Sequence, residues 1–183
     1  MDNRKFLKQA ALLPVCVATL SAAGLAHSGE VLFSSTLDDL SGFETTGMVR
    51  PDNPGARLLG GWLFDGRLQT SPINVAGYRQ LELTYDRSVT GLESHEAGVA
   101  AYSVDGGPFV PLERVAEGGG EVSLAIDDLP EGATSLSLLF EIDASNFFER
   151  FTISRVELQG TPDDTDPGDP GDPGDPGDPG DPG

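Results

Sequence analysis

The chain has 183 residues, with 30 aspartates and glutamates against 11 lysines and arginines, for a formal net charge of −19. That balance repels phosphate backbones and anionic lipid, which excludes nucleic acid and a membrane surface as main partners. The lone cysteine, Cys16, lies near the N-terminus, so the rest of the chain has no disulfide, no thiol nucleophile and no Cys-based zinc site.

Residues 1–26 have a basic start (Arg4, Lys5, Lys8), an apolar stretch interrupted by Pro14, and small residues at Gly24 and Ala26. This pattern predicts a signal peptide cut after Ala26, and hence a secreted bacterial protein, periplasmic or extracellular, with no membrane contact after cleavage. The string from Asn3 to Lys8 resembles the twin-arginine export motif, but Asn3 stands where its first arginine belongs, so general secretion is expected. Both lysines fall in this segment, and every later cation is an arginine.

From residue 29 to 160 the sequence reads as short apolar runs separated by Gly, Pro, Asn and Asp, with no helical stripe. Strands are predicted at 31–34, 43–48, 57–59, 61–64, 68–71, 80–87, 98–104, 110–115, 121–126, 135–142 and 151–158. Leu81, Leu83 and Tyr85 alternate with Gln80, Glu82 and Thr84, which gives one apolar and one polar face. Leu136, Leu138 and Phe140 repeat the pattern, and Val99, Ala101 and Ser103 do so more weakly. Between Ile153 and Val156 the apolar phase slips by one residue, which predicts a bulge near Ser154 or Arg155. Asp105-Gly106-Gly107 signals a hairpin turn with its glycines at positive φ, and residues 129–132 predict the turn before the next strand. The expected fold is all-β: a two-sheet antiparallel sandwich of jelly-roll type filling one domain, 29–160.

Residues 161–183 include six consecutive Asp-Pro-Gly triplets from Asp166 onward. Without apolar side chains this segment cannot offset its ordering entropy, so a disordered, extended acidic linker is expected.

The runs Leu68 to Tyr78, Leu81 to Ser88 followed by Gly91-Leu92-Glu93 and Glu96, and Tyr102 to Gly107 resemble the β-sandwich jelly-roll modules appended to bacterial secreted proteases, nucleases and glycan-active enzymes. The resemblance covers most of 29–160 and rests on turn and core residues, so it implies fold more than chemistry. In such modules the last strand carries an aspartate that helps hold a structural calcium ion. Here Ser154 and Arg155 occupy that stretch, which leaves Asp38, Asp39 and Glu44 as the oxygens available to calcium; no other cofactor is expected.

Chemical candidates are few. His95-Glu96 is the only His–carboxylate pair in 29–160, and one histidine cannot build a hydrolytic zinc site. No Gly-x-Ser-x-Gly elbow is present, and most acids alternate outward or sit in turns, where a glycosidase acid would not find its raised pKa. Trp62 and Tyr78 offer faces for sugar rings, and Phe147 and Phe148 sit in a polar loop before the last strand, where exposure is expected. A second edge is placed at residues 50–53. The sequence therefore predicts a monomeric, non-catalytic binding module for a polysaccharide or cell-surface ligand. The alternative is the N-terminal accessory part of a secreted nuclease or protease whose catalytic domain follows the linker.

Overall fold

In the computed structural model, residues 29–61, 64–127, 129–146 and 148–163 are described. The predicted export segment, the Asp-Pro-Gly triplets, Trp62 and Phe147 lie outside them. The described residues form twelve strands and no helix. These are β1 (Glu30–Ser35), β2 (Phe43–Thr46), β3 (Met48–Pro51), β4 (Ala56–Leu59), β5 (Arg67–Thr70), β6 (Ile73–Asn74), β7 (Tyr78–Thr90), β8 (Ala97–Val104), β9 (Val110–Val115), β10 (Gly119–Ile126), β11 (Ser135–Asp143) and β12 (Arg150–Pro162).

Two six-stranded antiparallel sheets pack face to face as a jelly-roll sandwich. The first runs β10-β7-β12-β4-β3 with β1 also on β12; the second runs β2-β5-β11-β8-β9 with β6 also on β11. Each sheet is organised by one long strand that serves two short ones along the same edge. In the first, β12 pairs with β4 through Arg150 to Ile153 and with β1 through Val156 to Gly160. Between those partners its register against β7 shifts from Ser154 to Glu157, and Arg155 takes φ 47°. This is the bulge that the phase slip predicts. In the second sheet, β11 pairs with β5 through Leu139 to Glu141 and with β6 through Ser135 and Leu136. The Leu138 amide falls in the gap and donates instead to the buried Thr70 hydroxyl at 2.9 Å.

The core follows the alternation. Leu81, Leu83 and Tyr85 of β7 face Leu136, Leu138 and Phe140 of β11, all at most 2% exposed. The Tyr85 and Phe140 rings meet edge to face, with centroids 5.1 Å apart. Burying each such side chain stabilises the fold by roughly 1.5–3 kcal/mol. The Tyr85 hydroxyl crosses the sandwich to donate to Glu113 of β9, and Arg87 grips the same carboxylate at 2.8 Å. Burial and then this hydrogen bond push the phenol well above its ordinary pKa, so it serves as a donor to the carboxylate.

Four expectations are corrected. Residues 43–48 form two strands rather than one, because Gly47 at φ 66° breaks the run; a Cβ there would lie 1.9 Å from the Asp65 carbonyl. Gly61 and Phe64, expected in a strand, lie in the β4–β5 connection. In β8 the phase is reversed: Ala100 and Tyr102 join the main core. Val99 and Ala101 form a second apolar cluster with Ala97 and Leu139, packed by Phe109. At the 105–107 hairpin, Asp105 (φ 48°) and Gly106 (φ 71°) carry the positive dihedrals, as a type I′ turn requires, and Gly107 closes the bond to Val104 at 2.9 Å.

Candidate functional site

Strand direction sorts the loops into two ends. Glu96 directly precedes β8 and Asp105 directly follows it, so they stand about 30 Å apart at ~3.3 Å per residue. Tyr78 opens β7 opposite Pro162, whereas Thr90 closes it opposite Arg150. Tyr78 and Phe148 are thus at opposite ends of the sandwich, and the structure does not bring these two predicted contact residues together.

Tyr78 belongs to the hairpin end. It is half-buried, its ring lies against the Gly160 backbone, and its hydroxyl donates to Glu30 at 2.6 Å. Here Asp105 is the organising group. One of its oxygens accepts from the amides and hydroxyls of both Thr134 and Ser135 at 2.8–3.1 Å, tying the β8–β9 hairpin to the start of β11. The Thr134 hydroxyl first, then the Ser135 amide, hold this carboxyl below its ordinary pKa.

Phe148 belongs to the other end, where the β4–β5, β7–β8 and β11–β12 connections converge. Phe148 is 71% exposed and Phe64, on the β4–β5 connection, is 70% exposed. Their two loops are in direct contact. The Gly60 amide donates to the Glu149 carbonyl at 3.2 Å, and a Cβ on Gly60 would lie 2.5 Å from that of Ala144. Asp65 bridges the same loops by accepting from the Gly61 and Ala144 amides. Burial outweighs those bonds and raises its pKa.

Beneath the phenylalanines lie two carboxyl groups that the sequence reading did not single out as a pair. Glu96 is 4% exposed and Glu149 is 5% exposed. Each closes a four-residue turn of the same design. The Glu96 amide donates to the Glu93 carbonyl at 3.0 Å while its carboxylate accepts from the Glu93 amide at 2.8 Å. The Glu149 amide donates to the Asn146 carbonyl at 3.1 Å while its carboxylate accepts from the Asn146 amide at 2.6 Å. The carboxylate-to-amide half of this arrangement is that of a capping box, with a backbone carbonyl in place of the cap side chain and no helix following. The second Glu96 oxygen accepts from the Ser145 amide at 2.7 Å, joining one turn to the other and setting the two carboxyls on the adjacent amides of Ser145 and Asn146. The Glu93 amide first, then Ser145, hold Glu96 down to about 2, whereas burial first, then the Glu96 charge, raise Glu149. Of the two, Glu149 therefore gives up its proton the less readily.

A glycosidase keeps its two carboxyls at least ~5 Å apart, on either side of a scissile bond. Glu96 and Glu149 instead spend their oxygens on the backbone amides of Glu93, Ser145 and Asn146, two of them adjacent, which is a framework geometry. His95 points away from Glu96, with its side chain 71% exposed and Nδ1 3.8 Å from Glu93.

Among the described residues no group of three His, Cys, Asp or Glu side chains is placed to hold a metal ion. Asp38, Asp39 and Glu44 do not converge. Both Asp39 oxygens are engaged by Ser41 at 2.9 Å, Asp38 is exposed, and Glu44 pairs with Gln69 in the second sheet. Residues 50–53 lie in and after β3, on a turn where Asp52 pairs with Arg57 at 2.6 Å and Gly55 packs on the Ile153 carbonyl, beside the middle of β12. A groove of about 360 Å³ on the outer face of the first sheet is lined by Gln80, Glu82, Ala125, Asp127, Gln159 and Thr161 among others, and contains no aromatic side chain.

No family model matches the chain, and no curated protein matches it. Several solved structures do at the level of fold. The enzymatically active domain of tailspike protein 4 from bacteriophage CBA120 is 14% identical at a TM-score of 0.48, over 69% of this chain and 20% of that one. The C-terminal CBM6 of LamC from Zobellia galactanivorans is 11% identical at 0.44, over 69% of this chain and 98% of that one. A family 29 carbohydrate-binding module is 14% identical at 0.49, over 72% and 87%. At these values the likeness is one of general β-sandwich shape and carries no ligand to this chain.

Proposed function

We propose that this chain is a non-catalytic, exported β-sandwich module that binds an uncharged polysaccharide at the loop end bearing Phe64 and Phe148, and that residues 161–183 act as an acidic spacer. The observation that carries the reading is the pair of phenylalanines, each about 70% exposed, on two loops fastened to one another by Asp65 and by the Gly60–Glu149 bond. Exposed aromatic rings on a braced scaffold lose little entropy on binding and present apolar faces to the C–H faces of sugar rings. Asp65 and Asn146 on these loops, with Glu93 and His95 on the neighbouring β7–β8 loop, supply hydrogen-bonding groups for hydroxyls. The formal charge of −19 disfavours sulfated or uronic chains.

Retention on insoluble β-1,4-glucan, β-1,3-glucan and xylan, each compared with a sulfated polymer, tests the proposal. Binding to at least one neutral polymer that is lost in Phe148→Ala is expected. Failure of the wild-type chain to bind any neutral polymer, or equal binding by Phe148→Ala, would overturn it.

A further inference from the structure

We propose that the Glu96–Glu149 carboxyl pair is a pH-operated latch, which fastens the β11–β12 loop to the β7–β8 loop while the pair holds one proton and releases it when both groups ionise. Both groups are more than nine-tenths buried, and their carboxyls are drawn together because they accept from the adjacent amides of Ser145 and Asn146, at 2.7 and 2.6 Å. A contact between two carboxyl groups is attractive only when one of them supplies a proton; two carboxylates at that distance repel in a medium that screens them poorly. Nothing else on the described residues neutralises the second charge. Arg114 pairs with Asp143, and His95 stands 3.8 Å from Glu93; neither is paired with Glu96 or Glu149. The other titratable neighbours, Glu93 from the β7–β8 loop and Asp65 from the β4–β5 connection, are also acids, with Asp143 behind Asp65. Arg150 follows Glu149 in sequence but is exposed and forms no ion pair with it.

What the latch holds is specific. Glu149 closes the turn carrying Phe148, and Glu96 reaches across to the Ser145 amide in that same loop. The sign follows from linkage. Glu149 is raised, so its contribution is full below the ordinary glutamate value and lost as pH rises through the raised value. Glu96 is lowered, so its contribution is present above the ordinary value and lost only as pH falls toward about 2. The loop is therefore held most tightly in mildly acidic solution.

The test is hydrogen exchange of the full chain between pH 4 and 9, corrected for intrinsic rates and read at the Ser145, Asn146 and Glu93 amides, with Leu138 and Phe140 as core controls. It needs no glycan, so its failure is separate from failure of the polysaccharide reading. Protection at the three loop amides is expected to fall about tenfold per pH unit above the Glu149 titration while the core stays flat. In Glu149→Gln, whose amide still donates to Glu96 and accepts from Asn146 but does not ionise, the alkaline loss is expected to vanish. Should that variant fail to fold, the wild-type profile decides, together with Glu96→Gln, in which the alkaline loss shrinks because Glu149 no longer faces a charge. Loop protection that is independent of pH in the wild type, or an unchanged alkaline loss in Glu149→Gln, would overturn the latch.

Discussion

At the hairpin end an exposed carboxylate, Asp105, gathers four donors from Thr134 and Ser135. At the aromatic end two buried carboxyls, Glu96 and Glu149, lean on each other and on the amides of Glu93, Ser145 and Asn146. Both arrangements tie distant loops together with acids, but at the aromatic end the pair splits, Glu96 lowered like Asp105 and Glu149 raised. Donors around Asp105 favour the charge, whereas burial and then the Glu96 charge make Glu149 harder to ionise. Among the described residues the two exposed phenylalanines, Phe64 and Phe148, both stand at the aromatic end, whereas the exposed apolar side chains at the hairpin end are the smaller Val31 and Val110. The hairpin end therefore reads as a clasp, and the aromatic end as a braced platform.

The largest effect expected from breaking this contrast is on binding. Phe64→Ala combined with Phe148→Ala removes the platform, and at roughly 1.5–3 kcal/mol per covered ring the affinity for a retained polysaccharide should fall about 100-fold or more. Because both rings are already exposed, thermal unfolding should stay within about 1–2 °C of the wild type. Next comes Thr70→Val, which leaves the Leu138 amide without its acceptor in the gap between β5 and β6. Denaturant unfolding should show a loss of about 1–3 kcal/mol with retention unchanged.

A smaller effect is expected on acidification at the hairpin end. The Asp105 contribution is present above the ordinary carboxyl range and lost as pH falls through its lowered value. Amide exchange at Thr134 and Ser135 should accelerate below about pH 4, and Asp105→Asn should remove most of that dependence. The smallest change is that of Tyr78→Phe, which loses one exposed hydrogen bond to Glu30 and should alter polysaccharide affinity by less than about twofold.

The contrast between the ends was only half legible in the sequence. Alternation of large side chains located β7 and β11, and the slip between Ile153 and Val156 located the bulge that lets β12 serve both β4 and β1. Alternation misled in β8, where small residues stand on both faces. There Gly98 and Ala100 face the core because the Phe151 ring needs the space, with a Cβ on Gly98 falling 2.7 Å from it. β6 escaped notice because two residues, Ile73 and Asn74, carry no period. Asp105-Gly106 announced the hairpin, but not the grip on Thr134 and Ser135, which lie 29 and 30 residues away.

The exposure expected of Phe148 from its polar loop is seen, whereas Tyr78 proved to be a half-buried side chain at the other end. The buried glutamates were hardest to read, since their partnership spans loops 53 positions apart between Glu96 and Glu149. A local signal did exist. Asn146-x-x-Glu149 is spaced as a capping box, and the Asn146 side chain accepts from the Phe148 amide at 3.3 Å as a cap does. Without an apolar helical run after it, nothing marked the motif as a turn that turns its acid inward.

The central claim is that the aromatic end, and not the hairpin end or a sheet face, is the binding surface. Amide chemical-shift mapping during titration with a soluble oligosaccharide of the retained neutral polymer tests it most directly. The account predicts that the perturbed amides cluster at Gly61, Phe64, Asp65, Ser145, Asn146 and Phe148, with Thr134, Ser135 and Gln80 unmoved. Perturbations centred on Tyr78 and Asp105, or along Gln80, Glu82 and Gln159 on the outer face of the first sheet, would contradict it.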